Sequence, residues 1–415
     1  TEMKTLIYYE KRKILRRKST IIACLLMLLS IIALSFVFVS DQDYYRADGT
    51  EVSGMEAIHV KQEMDHALAG PLTAERLKDA LQQYHTVYGN SDNFGTSGAL
   101  KDEVYCKDIL PYNGILNLMR RIYSPAGAYD MNILSSITNE RVENFYQDRH
   151  AQVQSIIDMD YTTGNYTQAE KDTILKLDAK VSDPITYDYS DGWKTLLTRD
   201  FPTIFLLIAL VVCIIISPVF AYEYQTGADA VVLSSKYGRR ETVWAKLIAG
   251  FTVTSRIYFI AVLVSLISVL AVFGVQGWNC DFQILSTTAY YGLKIWQVVF
   301  VGIVINYVVV LSVMAFTMLL SAACKTPFAA VLISTLCTIV PMFLPTSRVS
   351  GVFNKLLCLL PAKAMDTHVV FSTYVLFSFG KLVVILPCMI LIAACALIIV
   401  TLPVAHRKFC RHQVA

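Results

Sequence analysis

The feature that most constrains this chain is a series of long runs without a charged residue. Thr20–Val39 is uncharged from end to end. As an α-helix rising ~1.5 Å per residue it is long enough to cross the ~30 Å hydrocarbon core of a bilayer. In lipid every backbone N–H and C=O must be satisfied inside the protein, so a run of this kind commits to a helix. Comparable runs follow at about 201–221, 247–274 (broken by one charge, Arg256), 295–323, 327–344 and 382–404. With 55% of its 415 residues apolar and 17% charged, the chain is too apolar for an ordinary soluble protein. The expected fold class is an all-α membrane protein. It has six transmembrane helices and a mainly helical extracytoplasmic domain inserted between spans one and two.

The charge distribution orients this plan. The net charge of +3 conceals a block, residues 41–200, with 15 Lys/Arg against 26 Asp/Glu, a net of −11 that leaves +14 elsewhere. An acidic block in a basic, apolar chain argues against a nucleic-acid partner and for a domain across the membrane from the basic ends. Residues 1–18 carry Lys4, Lys11, Arg12, Lys13, Arg16, Arg17 and Lys18. Leu6, Ile7, Ile14 and Leu15 could rest on the bilayer with the cations toward lipid phosphates; a plain topogenic flank is the alternative. Cations before Thr20 and Asp41 and Asp43 after Val39 place the N-terminus inside, and the tail His406, Arg407, Lys408 and Arg411 places the other end there too. No small-residue cleavage site follows the first run, which therefore reads as a retained anchor. The expected location is the cell membrane, multi-pass, with both termini cytoplasmic.

Within 41–200 the pattern predicts helices at Met55–Leu68, Leu72–Tyr88 with Thr73 as cap, Tyr112–Tyr123 and Thr138–Met159. A capping-box pattern at Thr167–Glu170 opens another helix toward Val181. Gly89–Gly98 is turn-rich; its Asn90, Asp92 and Asn93 lack the glutamate that a calcium loop needs. Thirteen of the 23 tyrosines lie in this block, which suits a core with wet edges or a contact surface. The ten cysteines show no CxxC pair and no Cys/His metal spacing, so no metal site is expected and free thiols are the simplest reading. A Cys280–Cys358 bridge between outer loops is the alternative.

Residues 222–246, YEYQTGADAVVLSSKYGRRETVWAK, form the one polar segment between apolar runs with an internal order. Glu223 leaves the run, Gly227 follows, and Ala228–Lys236 is helix-like. Ala228, Val231, Val232 and Ser235 fall at i, i+3, i+4 and i+7 on one face. Gly238 offers a stop, Arg239 and Arg240 add charge, and Lys246 opens the next run. A two-turn helix is not stable alone in water, so its apolar face must dock on something. This order resembles the first cytoplasmic loop of type-2 ABC exporter permeases, which carries the coupling helix. The family pattern places an acidic residue, a glycine, a short Leu/Ser helix, an Arg-containing turn and a Lys where this chain has Glu223, Gly227, Leu233–Ser235, Gly238–Arg240 and Lys246. Ala228 departs from it by lacking the hydroxyl that often follows the glycine. The span order extends the resemblance over the whole membrane part.

The remaining runs raise narrower questions. Arg256 interrupts the third, either snorkelling from a helix that begins before the bilayer or lying deep and facing a cavity. Asn306 in the fourth is expected to bond another helix, with a substrate path as the sharper alternative. Tyr307, Ser312, Thr335 and Arg256 complete that candidate path. Pro218 and Pro387 are read as lying inside spans two and six. Residues 345–379 are too polar to span. Their stretch VFNKLLCLLP resembles the helices that in family members dip back into the outer leaflet; a helix flat on the surface is the alternative.

There is no G-x-x-x-x-G-K-[ST] loop, no H-E-x-x-H and no G-x-S-x-G, and intramembrane charges do not pair as in a proton relay. The chain is expected to have no catalytic site or cofactor of its own. The resemblance implies separate ATP-binding cassette subunits that hold ATP and magnesium and receive Glu223, Gly227, Ala228, Val231, Val232, Ser235, Arg239 and Arg240. It also implies a second permease chain, identical or paralogous, and outward transport. The neutral interior suits an amphiphile such as a peptide, antibiotic or lipid-like molecule. A permease separate from its ATPase resembles bacterial systems. The reading from another class is a membrane-anchored receptor or immunity protein whose outer domain binds a peptide without transport; an intramembrane enzyme lacks any residue constellation.

Overall fold

A computed structural model describes residues 2–162, 164–235, 238, 240–345 and 351–411. Among these, five helices are long and apolar enough to cross a membrane: Lys18–Ser40, the rod Asp191–Thr226, Glu241–Phe273, Ile295–Ala323 and Leu386–Cys410. The expected fifth run is shorter. Pro327–Ile339 is α-helical under a cap from the Thr326 hydroxyl, and Val340–Phe343 continues it as a 3-10 turn around Pro341. At ~1.5 and ~2.0 Å per residue the two pieces extend about 27 Å.

The rod and Ile295–Ala323 form the inner pair, with 72% and 67% of their apolar windows buried. Lys18–Ser40 and Leu386–Cys410 bury only 22% each and present broad apolar faces outward, as helices solvated by lipid or by a second subunit do. The second helix does not start at Phe201. It begins at Asp191 and passes through a π turn at Leu196–Asp200, just before Pro202, whose missing N–H breaks regular α pairing. Asp200 therefore lies inside the rod, fully buried, and accepts a hydrogen bond from Ser265 of the next helix.

The rod breaks again at Ser217. Pro218 cannot donate to the carbonyl of Ile214, and the Ser217 hydroxyl serves that carbonyl instead (3.2 Å). Ser321, from Ile295–Ala323, accepts the N–H groups of Phe220 (2.9 Å) and Ala221 (3.1 Å) and donates to the Ser217 carbonyl (2.5 Å). One hydroxyl from a neighbouring helix thus fixes the angle at which the chain leaves the bundle.

The last helix begins later than its hydropathy suggests. Leu382–Ile385 is a strand paired with Leu376–Phe379 across a turn at Gly380 (φ 63°). Val383, Val384 and Ile385 are β-branched, and Pro387 sits in the first helical turn, so the helix starts at Leu386 and Pro403 is its interior proline. Residues 351–372 form three short helices, Val352–Cys358, Pro361–Ala364 and Thr367–Ser372.

The inserted segment 41–200 is mainly helical, with two short ladders, Asp43–Tyr45 on Glu51–Ser53 and Gly70–Pro71 on Thr186–Tyr187. Thr73 caps Ala74–Gly89, and Thr167 and Glu170 make both bonds of a capping box on Gln168–Asp178. The Thr138–Met159 helix is broken at Asn144. A distal core around Leu77, Leu81, Leu116, Met119 and Phe145 is built from the segment, with Ile284 packed against it. A proximal layer, including Val153, Ile157, Tyr166 and Ile174, joins the core of the long helices. Arg149 is fully buried there: it pairs with Asp178 (2.7 Å) and donates to the carbonyls of Thr287 (3.2 Å) and Ala289 (2.6 Å). Asp281 reciprocates with Lys294 (2.8 Å), the Ser182 hydroxyl (2.9 Å) and the Thr186 N–H (2.7 Å). The ten cysteines, Cys280 and Cys358 among them, are free thiols.

Candidate functional site

At the opposite end of the bundle the polar loop leaves the rod. The N-terminal helix Glu2–Leu15 lies along Glu241–Phe273, with Ile14 in the common core. Three elements meet at Glu223, which is 2% exposed and bonds Lys246 (2.6 Å) and Lys13 (2.7 Å). Lys246, fully buried, also reaches Glu10 (3.2 Å) and the Val219 carbonyl (3.2 Å). Arg17 donates to the Pro218 carbonyl (3.3 Å) and lies over the Tyr222 ring. Two acids and two lysines thus share one knot at the root of the loop, with Glu223 and Lys246 shielded from water and Lys13 at its open edge.

Gly227 ends the rod in the left-handed region (φ 69°) with its N–H on the Tyr224 carbonyl. A Cβ would meet no atom there, so it is the backbone conformation that selects glycine. The loop helix is Ala228–Ser234, shorter than Ala228–Lys236, and it ends where Ser235 turns extended. Gly238 is not its stop. It packs against the Val232 carbonyl so closely that any side chain would collide.

The helix divides its residues by face. Leu233 and Asp229 turn into the protein (5% and 6% exposed), while Val231 is 73% exposed. Ser234, Ser235 and Arg240 are exposed, and Ala228 and Val232 are half-buried. Of the eight docking candidates, Gly227, Val231, Ser235 and Arg240 stand at the surface, with Ala228 and Val232 at its edge. Glu223 does not: burial and two lysine partners make it the anchor of the loop. Arg239 lies outside the described residues.

The candidate path residues are dispersed. Asn306 is buried and donates to the carbonyl of Gly302 (2.8 Å) and to the Thr367 hydroxyl (3.1 Å). Gly302 leaves room for Thr367, which a Cβ would strike, so this pair seats the short helix Thr367–Ser372. The Tyr307 hydroxyl bonds that of Ser255 (2.8 Å). Ser312 donates to its own helix at Val309 (2.7 Å). Thr335 belongs with Ser334, Thr338 and Thr317 to a set of hydroxyls around the Cys213 thiol. Arg256 is exposed and faces the N-terminal helix across a cleft. Glu241–Phe273 starts before the apolar run, which agrees with the snorkelling position for this arginine.

Sequence reasoning missed Glu10 and Lys13 as partners of the loop root. A signal existed: Glu10 is the one acid between Lys4 and Lys18, and it shares a face with the buried Ile14 at i+4. Among the described residues no group of three His, Cys, Asp or Glu side chains could hold a metal ion.

The family of ABC-2 family transporter proteins matches residues 5–378. The chain belongs to this family, and it is therefore a multi-pass membrane subunit, the permease part of an ABC transporter. Such permeases associate with ATP-binding cassette ATPase subunits. Neither the curated proteins nor the solved structures contain a match.

Proposed function

We propose that this permease is half of an ATP-driven exporter that moves an amphiphilic substrate, a peptide, antibiotic or lipid-like molecule, out of a bacterial cell. The shorter helix Pro327–Phe343 serves as a sixth crossing. Both termini and the loop 222–246 then lie in the cytoplasm, and the segment 41–200 lies outside, as the charge bias requires. The observation that carries the reading is the loop itself. A two-turn helix stands on a left-handed glycine, its outer face at Val231 and Ser235 open and its root held by Glu223 and Lys246. A groove on the ATPase receives that face. When two ATPases close on ATP and magnesium, their push enters the rod at Gly227 and passes the Ser321-pinned break at Ser217. A second copy of this chain, or a paralogue, completes the path.

The test is purification of the tagged chain from its native membrane, with mass spectrometry and an ATPase assay. A stoichiometric ATP-binding cassette subunit that is retained by wild type and lost from Val231→Asp supports the reading. Wild type without an ATPase, or Val231→Asp retaining it fully, overturns it.

A further inference from the structure

Other cations of the N-terminal helix lie outside the knot at Glu223. Lys4, Lys11, Arg12 and Arg16 recur on one side of the N-terminal helix and its following turn, at i, i+7, i+8 and i+12. With Arg256 from Glu241–Phe273 they line a cleft of about 820 Å³ whose floor is apolar, Ile248 included. Among the described residues no carboxylate pairs with any of the five; Glu10 and Glu223 are taken by Lys246 and Lys13. Five like charges around one cleft repel each other and favour an anion. The same helix continues from Arg256 with an exposed apolar stripe, Phe259, Ile260, Leu263 and Ile267, at i+3, i+4, i+7 and i+11.

We propose that this cleft is a binding site for an anionic phospholipid, its phosphate held between the N-terminal helix and Arg256 and its acyl chains laid along Phe259–Ile267. Basic pockets beside a membrane helix hold acidic headgroups in this way. The apolar floor and the adjoining stripe select a lipid over a free phosphate, which has no use for either. The same N-terminal helix carries Glu10 and Lys13 into the root of the loop. A lipid in the cleft would thus stabilise the seat from which the loop helix projects. The proposed orientation assigns this lipid to the cytoplasmic leaflet; the binding itself does not depend on transport or on an ATPase.

The experiment uses the full-length protein in detergent, with native mass spectrometry and thermal unfolding. The probes are phosphatidylglycerol, phosphatidylcholine of the same chains, and inorganic phosphate. Phosphatidylglycerol should be retained about tenfold or more over phosphatidylcholine and should raise Tm. Arg12→Gln/Arg256→Gln should lose that preference, and Arg12→Lys/Arg256→Lys should keep it, which separates lost charge from misfolding. Equal retention of the two lipids, an unchanged preference in the glutamine variant, or a Tm shift reproduced by inorganic phosphate would each overturn the proposal. Loss of the ATPase from Val231→Asp tests transport coupling separately.

Discussion

Two acids, Glu223 buried and Asp65 half-buried, do opposite things in this molecule. Glu223 is matched by two lysines, and replacing it by Gln leaves Lys246, fully buried, with Glu10 (3.2 Å) in place of two carboxylates. Breaking a buried pair from one side costs about 3–5 kcal/mol. Glu223→Gln should therefore lower Tm clearly, read by thermal unfolding in detergent, before any effect on transport is interpreted. Val231, at the surface, is the cleaner probe of docking. Asp65, in the cleft between Lys61 and Tyr187, is under-compensated. Burial pushes its carboxyl up to about 6, with Lys61 opposing and Asp191 adding to the shift. In the unfolded chain it ionises near 3.8, so below that pH both states hold the proton and nothing is lost. As pH rises from about 4 to about 6 the unfolded state releases its proton first, and stability falls by about 3 kcal/mol in all. Asp65→Asn should remove this slope. Its Tm should match wild type near pH 4 and exceed it at pH 7.5; parallel Tm curves would show that the charged form of Asp65 is not desolvated in this way.

At the scale of elements, the loop helix depends on a backbone conformation rather than on a side-chain contact. Gly227→Ala forces an L-residue into the left-handed region at about 1–2 kcal/mol, in a helix of seven residues that has little stability of its own. ATP-driven transport in reconstituted vesicles should fall while expression and membrane insertion persist. Gly227→Asn should recover part of the loss, because asparagine tolerates that region. Equal activity of the alanine variant and wild type would mean that the glycine conformation is not used in coupling. The sequence showed this element through its 3.6-residue period and its glycine. It misplaced the end by two residues, because Gly238 marks a close approach to the Val232 carbonyl and not a cap. The same confusion of local signals hid the strand at Leu382–Ile385, where a run apolar enough for a helix is β-branched and pairs with Leu376–Phe379.

Across the whole molecule the inserted segment is locked to the long helices and does not hang from them. Arg149 is the bolt: Asp178 neutralises it, and the Thr287 and Ala289 carbonyls of a loop far along the chain take its remaining donors. Arg149→Ala leaves Asp178 buried with only His150 beside it. It should cost about 3–5 kcal/mol and open residues 41–200 and 275–294 to limited proteolysis together. Cleavage confined to one of them would show that the two fold independently. The rod begins at Asp191 within the inserted segment, so under the proposed mechanism its motion would reach that segment directly.

The amino-acid sequence by itself determined the membrane class, the order of the apolar helices, the position of the loop and its glycine, and the capping box at Thr167. Each is a local property: hydropathy over a helix length, periodicity within two turns, or a cap within three residues. Only the tertiary structure decided that Glu223 faces Lys246, Lys13 and Glu10, that Ser321 pins the break at Ser217, and that Asn306 meets Thr367. It also decided that Arg256 lies across a cleft from four cations of the N-terminal helix and the turn after it. These partners are tens to hundreds of residues apart. Their pairing follows from how the helices pack, which the periodicity of any single helix leaves undetermined.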